Sequence, residues 1–317
     1  MGTISAKELH GCTSSAAVAQ QKQVRMRVPC FFIVLFMTLA TVRSPSDAQG
    51  VDVRGEQEQL PSSDEPAFRS LGEILLDDLS IAVRDGGSFF SSPLRFSGND
   101  WLVAGCFVGG TVGLFALDAE AQKWIGRETI SSLNNDFWDI PTRYGTVTYA
   151  NAFGVATYAT GLLIGNDDIR ITGRLLLESL SFSGLSVISV RFVAGRSRPY
   201  SGDGPWKFNG FTLDNEIQSF PSGHTTVAFG MSTILAERID TWWSRVFFYG
   251  MASLTAYARV LNNQHWLSDV VVGGAFGLGA GLFVIQREKE RGNHLTPSGA
   301  HFFIQPSLKG IRVTYVF

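Results

Sequence analysis

The sequence has few cysteines and few charged residues. Of 317 residues only three are cysteines, and only Cys106 lies outside the first 48 residues. A lone cysteine excludes both an internal disulfide bond and a cysteine metal cluster in the rest of the chain. Charged residues make up 17%, and their formal net charge is −2, so a nucleic-acid-binding protein, which is usually basic, is not expected.

Apolar residues make up 45% of the sequence and occur in long runs. Six runs carry few or no charges: Trp101 to Leu117, Tyr144 to Asn166, Leu175 to Val190, Pro221 to Ala236, Val246 to Ala258 and Val270 to Ile285. Short polar loops separate them, which predicts an all-α bundle. Two groups of glycines lie in the first and last runs: Gly105, Gly109, Gly110 and Gly113, and Gly273, Gly274, Gly277, Gly279 and Gly281. They predict helix faces that approach each other closely.

The first 48 residues have the pattern of a secretory leader. Three basic residues between Lys22 and Arg27 precede an apolar run from Val28 to Val42, and small residues follow. This order predicts a signal peptide cleaved after Ala48, with Met26 as an alternative start. The alternative is an uncleaved anchor helix, for which the apolar run is short.

Residues 49–98 are expected to form a polar linker followed by an amphipathic helix. Apolar residues from Phe68 to Ala82 recur at helical spacing, and the pair Gly86-Gly87 is expected to end this helix. The helix would either pack against the bundle, which we favour, or lie on a membrane surface. Residues 99–290 form the predicted bundle. The tail, residues 291–317, alternates apolar and polar residues, which is typical of a β-hairpin.

A histidine and a carboxylate are spaced for catalysis near the end of the bundle. His265 and Asp269 lie four residues apart. On a helix this spacing places the imidazole and the carboxylate on one face. Asp269 would then hold the Nδ1 proton of His265 and leave Nε2 with a free lone pair. This arrangement is typical of a histidine nucleophile.

Three arginines accompany this pair. Arg191 and Arg198 lie seven residues apart, two turns of one helical face, and Arg259 lies six residues before His265. The planar guanidinium group can bind two oxygens of a phosphoryl group at once. The three arginines therefore predict a phosphate site.

The segment Pro221-Ser222-Gly223-His224 has the pattern of a helix start. Main-chain N–H groups at a helix start bind anions, and the small Ser222 and Gly223 would let a phosphate approach them. His224 is a candidate general acid.

Together these segments resemble the signature of the type 2 phosphatidic acid phosphatase (PAP2) superfamily, which also contains vanadium haloperoxidases. The matching pattern is Arg191-x6-Arg198-Pro199, then Pro221-Ser222-Gly223-His224, then Arg259-x5-His265-x3-Asp269. The family has Lys at the position of Arg191 and usually Ser at that of Ala258. The resemblance covers residues 99 to 287 and implies six helices.

The resemblance implies a phosphatase that works through a phosphohistidine, with no metal or other cofactor. His265 would be the nucleophile, Asp269 its orienting carboxylate and His224 the acid that protonates the leaving oxygen. The remaining site residues would hold the phosphoryl oxygens: Arg191, Arg198, Arg259, Ser222 and Gly223. The expected substrate is a phosphate monoester or diphosphate, either a phosphorylated lipid or a small phosphate ester.

Two other functions are open for the same residues. A vanadate-dependent haloperoxidase would hold vanadate in this pocket, and a non-catalytic envelope protein would bind a lipid phosphate there. Near the first motif, Arg196 and Lys207 are expected to be ordinary loop charges. The aromatic residues of the same loop would either shape an entrance for a lipid chain or cap the bundle: Trp206, Phe208 and Phe211.

The apolar runs are compatible with two locations of the protein, embedded in a membrane or soluble in the periplasm. A membrane span needs roughly 17 to 25 apolar residues, and only the run from Tyr144 to Asn166 clearly reaches that length. We favour a bundle embedded in the bacterial cell envelope over a soluble periplasmic one.

Overall fold

The computed structural model describes the backbone of residues 69–129, 135–292, 301–307 and 310–316. The predicted leader, residues 1–48, and the polar linker, residues 49–66, lie outside the described residues. The boundaries predicted between leader, linker, bundle and tail stay predictions.

Within the described residues the chain forms eight α-helices. They are α1 Leu71–Phe90, α2 Gly98–Thr129, α3 Asn135–Tyr144, α4 Val147–Ile164, α5 Asp167–Ala194, α6 Gly223–Ile239, α7 Trp242–Leu261 and α8 Leu267–Glu290. Each of the six apolar runs overlaps one of the helices α2 and α4 to α8, so the all-helical prediction is confirmed for this part of the chain. In the tail, strands β1 His301–Ser307 and β2 Gly310–Val316 pair antiparallel, with Phe303 opposite Thr314. The role of this tail in the fold stays a prediction.

Helix α1 is longer than the sequence indicates, and it packs against the bundle. The prediction that Gly86-Gly87 ends it is wrong, because the helix continues to Phe90. A Cβ at Gly86 would lie 3.1 Å from the ring of Phe182 in α5, so the small residue allows close packing there. The buried carboxylate of Asp85 also pairs with Arg291, at 2.8 Å, just after α8.

Helix α3 adds a seventh helix to the predicted six of the bundle. This helix contains Pro141. Because proline normally breaks a helix, the sequence did not indicate a helix here. Its packing against α7 compensates: the rings of Trp138 and Tyr257 are 5.2 Å apart, and the Thr255 hydroxyl donates to the Pro141 carbonyl at 2.7 Å.

The core lies among α5, α6 and α8. Leu175 and Leu176 of α5, Ile234 of α6 and Val284 of α8 are completely buried in one cluster. Burial of side chains of this size contributes roughly 1.5 to 3 kcal/mol each. This packing fixes how the ends of the three helices lie relative to each other.

Helices α6 and α8 run parallel and touch along the glycines of α8. A Cβ at Gly273 would lie 2.5 Å from the Ser222 carbonyl oxygen, and one at Gly277 would lie 2.2 Å from the Thr226 carbonyl oxygen. The prediction of close approach is therefore confirmed for these positions. It is wrong for the glycines of α2, where an added Cβ would meet no atom of the described residues within 4 Å.

Three of the described helices are long and apolar enough to cross a membrane: Gly98–Ile125 in α2, Asp167–Ala194, which is α5, and Leu267–Glu290, which is α8. The run from Tyr144 to Asn166, which alone clearly reached this length in the sequence, is not among them. Helix α4 has only 18 residues and ends where Gly165 adopts a left-handed conformation. The α2 candidate instead extends well beyond the apolar run seen in the sequence.

The glycine contact between α6 and α8 predicts a difference between two neighbouring substitutions. Gly277→Ala would force the helices apart, and we expect it to destabilise the protein by about 1 to 3 kcal/mol. Gly279→Ala adds the same methyl group in open space and removes a helix-breaking residue. It should leave stability unchanged or raise it by up to about 1 kcal/mol. Melting temperatures of the two purified variants test this, and equal values would contradict it.

Candidate active site

The predicted site residues meet at one end of the bundle. They lie at the C-terminal ends of α5 and α7, at the starts of α6 and α8, and in the loop after α5. Arg191 belongs to α5, Arg198 to the loop, His224 to α6 and Arg259 to α7, and His265 lies just before α8.

His265 does not share a helix with Asp269, contrary to the prediction. Helix α8 begins at Leu267, so His265 lies in the turn before it. Its Nδ1 is 2.8 Å from the carbonyl oxygen of Ser219 and 3.6 Å from the Asp269 carboxylate, which is beyond hydrogen-bond length. A carbonyl oxygen only accepts, so Nδ1 carries the proton. The ring orientation therefore comes from Ser219, and the lone pair is on Nε2.

Asp269 holds the turn around His265 rather than the ring itself. Its Oδ2 accepts the Trp266 N–H at 2.8 Å and the hydroxyl of Ser219. A carboxylate in the first turn of a helix also interacts favourably with the helix dipole. Asp269 thus fixes Ser219, the residue whose carbonyl orients His265.

Burial keeps His265 neutral. The side chain is 1% exposed, and this burial lowers its pKa to about 4, with the carboxylate of Asp269 offsetting only part of the effect. Near neutral pH the Nε2 lone pair is therefore available.

The start of α6 offers free main-chain donors, but Ser222 is not one of them. The Ser222 N–H donates to the Asp269 carbonyl at 2.9 Å, and its hydroxyl caps the helix by accepting the Thr225 N–H. Among the hydrogen bonds of the described residues, none uses the N–H of Gly223 or His224. These two groups are the donors available to an anion, so Ser222 acts by shaping the turn.

His224 lies beside the arginines at this helix start. Burial, together with the positive charge of Arg259, lowers its pKa to about 3. Without an anion in the site, His224 is therefore neutral near pH 7.

The three predicted arginines converge on this place from different elements. The prediction that Arg191 and Arg198 share one helical face is wrong, because α5 ends at Ala194 and Gly195 turns the chain. Arg191 donates through Nε to the Pro221 carbonyl at 2.8 Å, and its Nη2 is 3.1 Å from where a Cβ of Gly223 would lie. Arg198 donates to the carbonyl of Gln264, the residue before His265, at 3.1 Å.

Arg259 has the least satisfied guanidinium of the three. It is only 9% exposed, and its Nε has no hydrogen-bond partner within the described part of the chain. Burial and the charge of Arg198 lower its pKa to about 10, so it is still charged at neutral pH. No ion pair joins Arg191, Arg198 or Arg259 to a carboxylate within the residues that the structure describes. Such a cluster of unpaired cations favours a bound anion.

Four residues of this region were missed or misjudged from the sequence: Asp118, Arg196, Ser219 and Ser268. The prediction that Arg196 is a loop charge is wrong, because it is completely buried and pairs with Asp269 at 2.6 Å. Asp118 of α2 pairs with it from the other side, also at 2.6 Å. The available signal was a single acid directly after the apolar run that ends at Leu117. Lys207, by contrast, is exposed, as expected.

The aromatic loop residues pack partly on the bundle. The rings of Trp206 and Phe208 each lie 5.6 Å from the ring of Phe115 in α2. Phe211 is 76% exposed, although its ring is 5.6 Å from that of Phe192. Trp206 and Phe208 thus pack on the bundle, whereas Phe211 is an exposed apolar side chain in the loop between the first two motifs.

Comparison with known proteins agrees with the sequence motifs. Residues 173–292 match the family model of the PAP2 superfamily. The predicted resemblance to the PAP2 superfamily is confirmed for this segment. All three motifs of the candidate site lie inside the PAP2 segment, whereas Asp118 lies outside it.

Relatives of this chain include proteins named lipid A 1-phosphatase. One from Porphyromonas gingivalis is 43% identical over 111 residues, covering 33% of this chain and 22% of that protein. One from Rhizobium etli is 33% identical over 107 residues, covering 33% of this chain and 45% of that protein. The match therefore spans less than half the length of either relative. A crystal structure of LpxE from Aquifex aeolicus is similar with a TM-score of 0.42 and 20% identity, covering 54% of this chain and 95% of that one.

The two site histidines predict a loss of stability at acidic pH. In the unfolded chain both have an ordinary pKa of about 6.5, well above their values in the folded protein. As the pH falls from 6.5 towards 4, the unfolded state binds protons first, and the free energy of unfolding decreases. The effect is at most about 1.4 kcal/mol per histidine and pH unit.

Melting temperatures at pH 7.5 and pH 5 measure this effect. The control is the double variant His224→Gln/His265→Gln, which cannot bind these protons. We expect the wild type to lose more stability than the double variant between the two pH values. An equal loss would show that both histidines are protonated normally in the folded protein.

Proposed function

We propose that this protein is a phosphatase of the bacterial cell envelope that hydrolyses a lipid phosphate through a phosphohistidine on His265, without a metal ion. The observation that carries the proposal is the set of three arginines without carboxylate partners among the described residues. They surround free main-chain N–H groups and a neutral histidine with Nε2 unprotonated. A phosphoryl group carries the charge and the oxygens that such a site binds.

In the first step Nε2 of His265 attacks the phosphorus atom, and the bond from phosphorus to the leaving oxygen breaks. Arg191, Arg198 and Arg259, with the N–H groups of the α6 start, stabilise the charge on the three equatorial oxygens. His224 donates a proton to the leaving oxygen, which departs as an alcohol. The Nδ1 proton of His265 stays on the ring and remains hydrogen-bonded to the Ser219 carbonyl.

In the second step water attacks the phosphorus atom and the bond to Nε2 breaks. Neutral His224 accepts a proton from this water. Inorganic phosphate then leaves, and both histidines are ready for the next cycle.

The low pKa of His224 agrees with this role once the substrate is considered. Its pKa is lowered partly by positive neighbours, with Arg259 as the strongest. A phosphate group among these arginines adds negative charge and raises the pKa of His224. His224 is therefore protonated, and able to act as the general acid, when the substrate is bound.

The substrate class follows from the relatives and from the surface. The relatives named above are lipid A 1-phosphatases, so we propose a glycolipid phosphate of this kind as the substrate. Phe211, in the loop between the first two motifs, is exposed and apolar, as expected of a residue that contacts a lipid chain. Helices α2, α5 and α8 are the proposed membrane spans.

Release of inorganic phosphate tests the proposal. Detergent-purified protein would be incubated with lipid A, phosphatidate, a polyprenyl diphosphate and p-nitrophenyl phosphate, with a chelator present. We expect release from at least one lipid, lowered by at least ~1000-fold in His265→Ala because the nucleophile is lost. Arg259→Gln should lower release by ~100-fold or more.

The matched control is Arg245→Gln in the same helix as Arg259. Arg245 is 43% exposed and pairs with Asp240, so its loss should leave turnover unchanged. Release that survives His265→Ala would contradict the mechanism. No release from any substrate would favour a lipid-phosphate-binding protein. Halide oxidation with vanadate and peroxide would instead favour a haloperoxidase.

A further inference from the structure

Arg196 is completely buried next to the candidate site, although it carries a charge. It lies in the loop after α5, between Arg191 and Arg198. Three aromatic rings surround its guanidinium, with Phe115 closest at 4.4 Å from Cζ, followed by Phe208 and Trp266. Burying a charge in this way is unfavourable unless its hydrogen bonds are fully satisfied.

All five N–H groups of Arg196 have partners. Nη1 donates to the Asp269 carboxylate at 2.6 Å and to the Ser268 hydroxyl at 2.7 Å. Nη2 donates to the Asp118 carboxylate and to the Pro205 carbonyl, both at 2.6 Å. Nε donates to the same carbonyl at 2.9 Å. Arg196 thus has no donor left for a substrate, which distinguishes it from the three arginines that are free to bind phosphate.

Two hydrogen bonds connect Arg196 to His265, with Ser219 between them. The Arg196 carbonyl accepts the Ser219 N–H at 2.9 Å, while its guanidinium holds Asp269, which accepts the Ser219 hydroxyl. Ser219 is therefore held at both its N–H and its side chain. Its carbonyl is the group that accepts the Nδ1 proton of His265 at 2.8 Å.

Asp118 holds this arrangement from a separate helix. Its Oδ2 accepts from Arg196 and from the Ser268 hydroxyl, and its Oδ1 accepts the Ser268 N–H at 2.8 Å. Asp118 thus joins α2 to the first turn of α8. It lies outside residues 173–292, so the contact is made by a part of the chain beyond the PAP2 segment.

We propose that Arg196 and Asp118 are positioning residues that fix Asp269 and Ser219, and thereby keep His265 as the tautomer with Nε2 unprotonated. This inference deepens the proposed function, on which its catalytic consequence rests. The structural part, the tautomer of His265, does not depend on any activity.

The test variant is Arg196→Met/Asp118→Asn. It removes the positioning pair but keeps the net charge of the cluster, so Asp269 does not face a second buried carboxylate. The matched control is Arg174→Met/Glu178→Gln, which removes another buried ion pair, 2.9 Å long, near the opposite end of α5. The other two carboxylates beside Arg174 keep a partner, because Glu288 pairs with Arg291 and Asp78 with Arg170. The control measures the cost of losing a buried ion pair anywhere in the bundle.

The first measurement is the 15N NMR spectrum of the histidine rings near pH 7, with the His265 signals assigned by a His265→Asn variant. We expect wild type and control to show His265 protonated at Nδ1 alone. The double variant should show a mixture of tautomers. An unchanged His265 spectrum in the double variant would overturn the proposal.

The second measurement separates orientation from binding. In the double variant kcat should fall by ~100-fold, because a nucleophile misplaced by about 1 Å reacts that much more slowly. The inhibition constant of inorganic phosphate should change by less than about threefold, since the phosphate-binding arginines are untouched. Equal losses of kcat and phosphate affinity would show a general structural role and contradict the proposal.

Two further outcomes are informative. If the double variant does not fold, the single variant Asp118→Asn decides: kcat should fall about tenfold at unchanged KM, because the nucleophile is partly misplaced. An unchanged kcat would overturn the proposal. If wild type releases no phosphate but the His265 tautomer changes in the variant, the proposed function fails and the positioning role stands.

Discussion

The hydrogen bond from the Ser222 N–H to the Asp269 carbonyl, 2.9 Å long, ties the start of α6 to the start of α8. It depends on the parallel packing of the two helices along Gly273 and Gly277, where any side chain would push the backbones apart. The packing brings two helix N-termini to one place, and each carries a partial positive charge. The positive potential of the site is thus built from the backbone as well as from arginine side chains.

The charges around this place divide into two groups with opposite roles. Arg196 and its two carboxylates satisfy each other and have no hydrogen-bonding capacity left on the guanidinium. Arg259 is nearly as buried, yet it lacks a carboxylate partner in the described part of the chain. A buried, unpaired cation lowers stability, and a bound anion would offset that cost. The pairing with Arg196 offsets the negative charge of Asp269.

The sequence motifs predicted which residues meet, but not all of their contacts. Arg191, Arg198, His224 and His265 could be found because their types and spacing suit phosphoryl transfer. Asp269 was expected to hold the ring of His265, yet the main-chain carbonyl of Ser219 does so. Every residue has a main-chain carbonyl, so the sequence does not indicate which of them accepts this hydrogen bond. Arg196 and Asp118 were missed for a related reason, since their pairing joins residues 78 positions apart and depends on how α2 packs. Helix α3 was hidden by its proline.

The position of phosphate on a trapped enzyme intermediate is the most direct test of His265 as the nucleophile. The protein would be mixed with 32P-labelled lipid substrate, quenched in alkali, which preserves phosphohistidine, and analysed by mass spectrometry and by the isomer of the modified ring. Because Nδ1 of His265 donates to the Ser219 carbonyl, we predict phosphate on Nε2 of His265 and none in His265→Ala. Phosphate on Nδ1, on another residue, or label that persists in His265→Ala would contradict it.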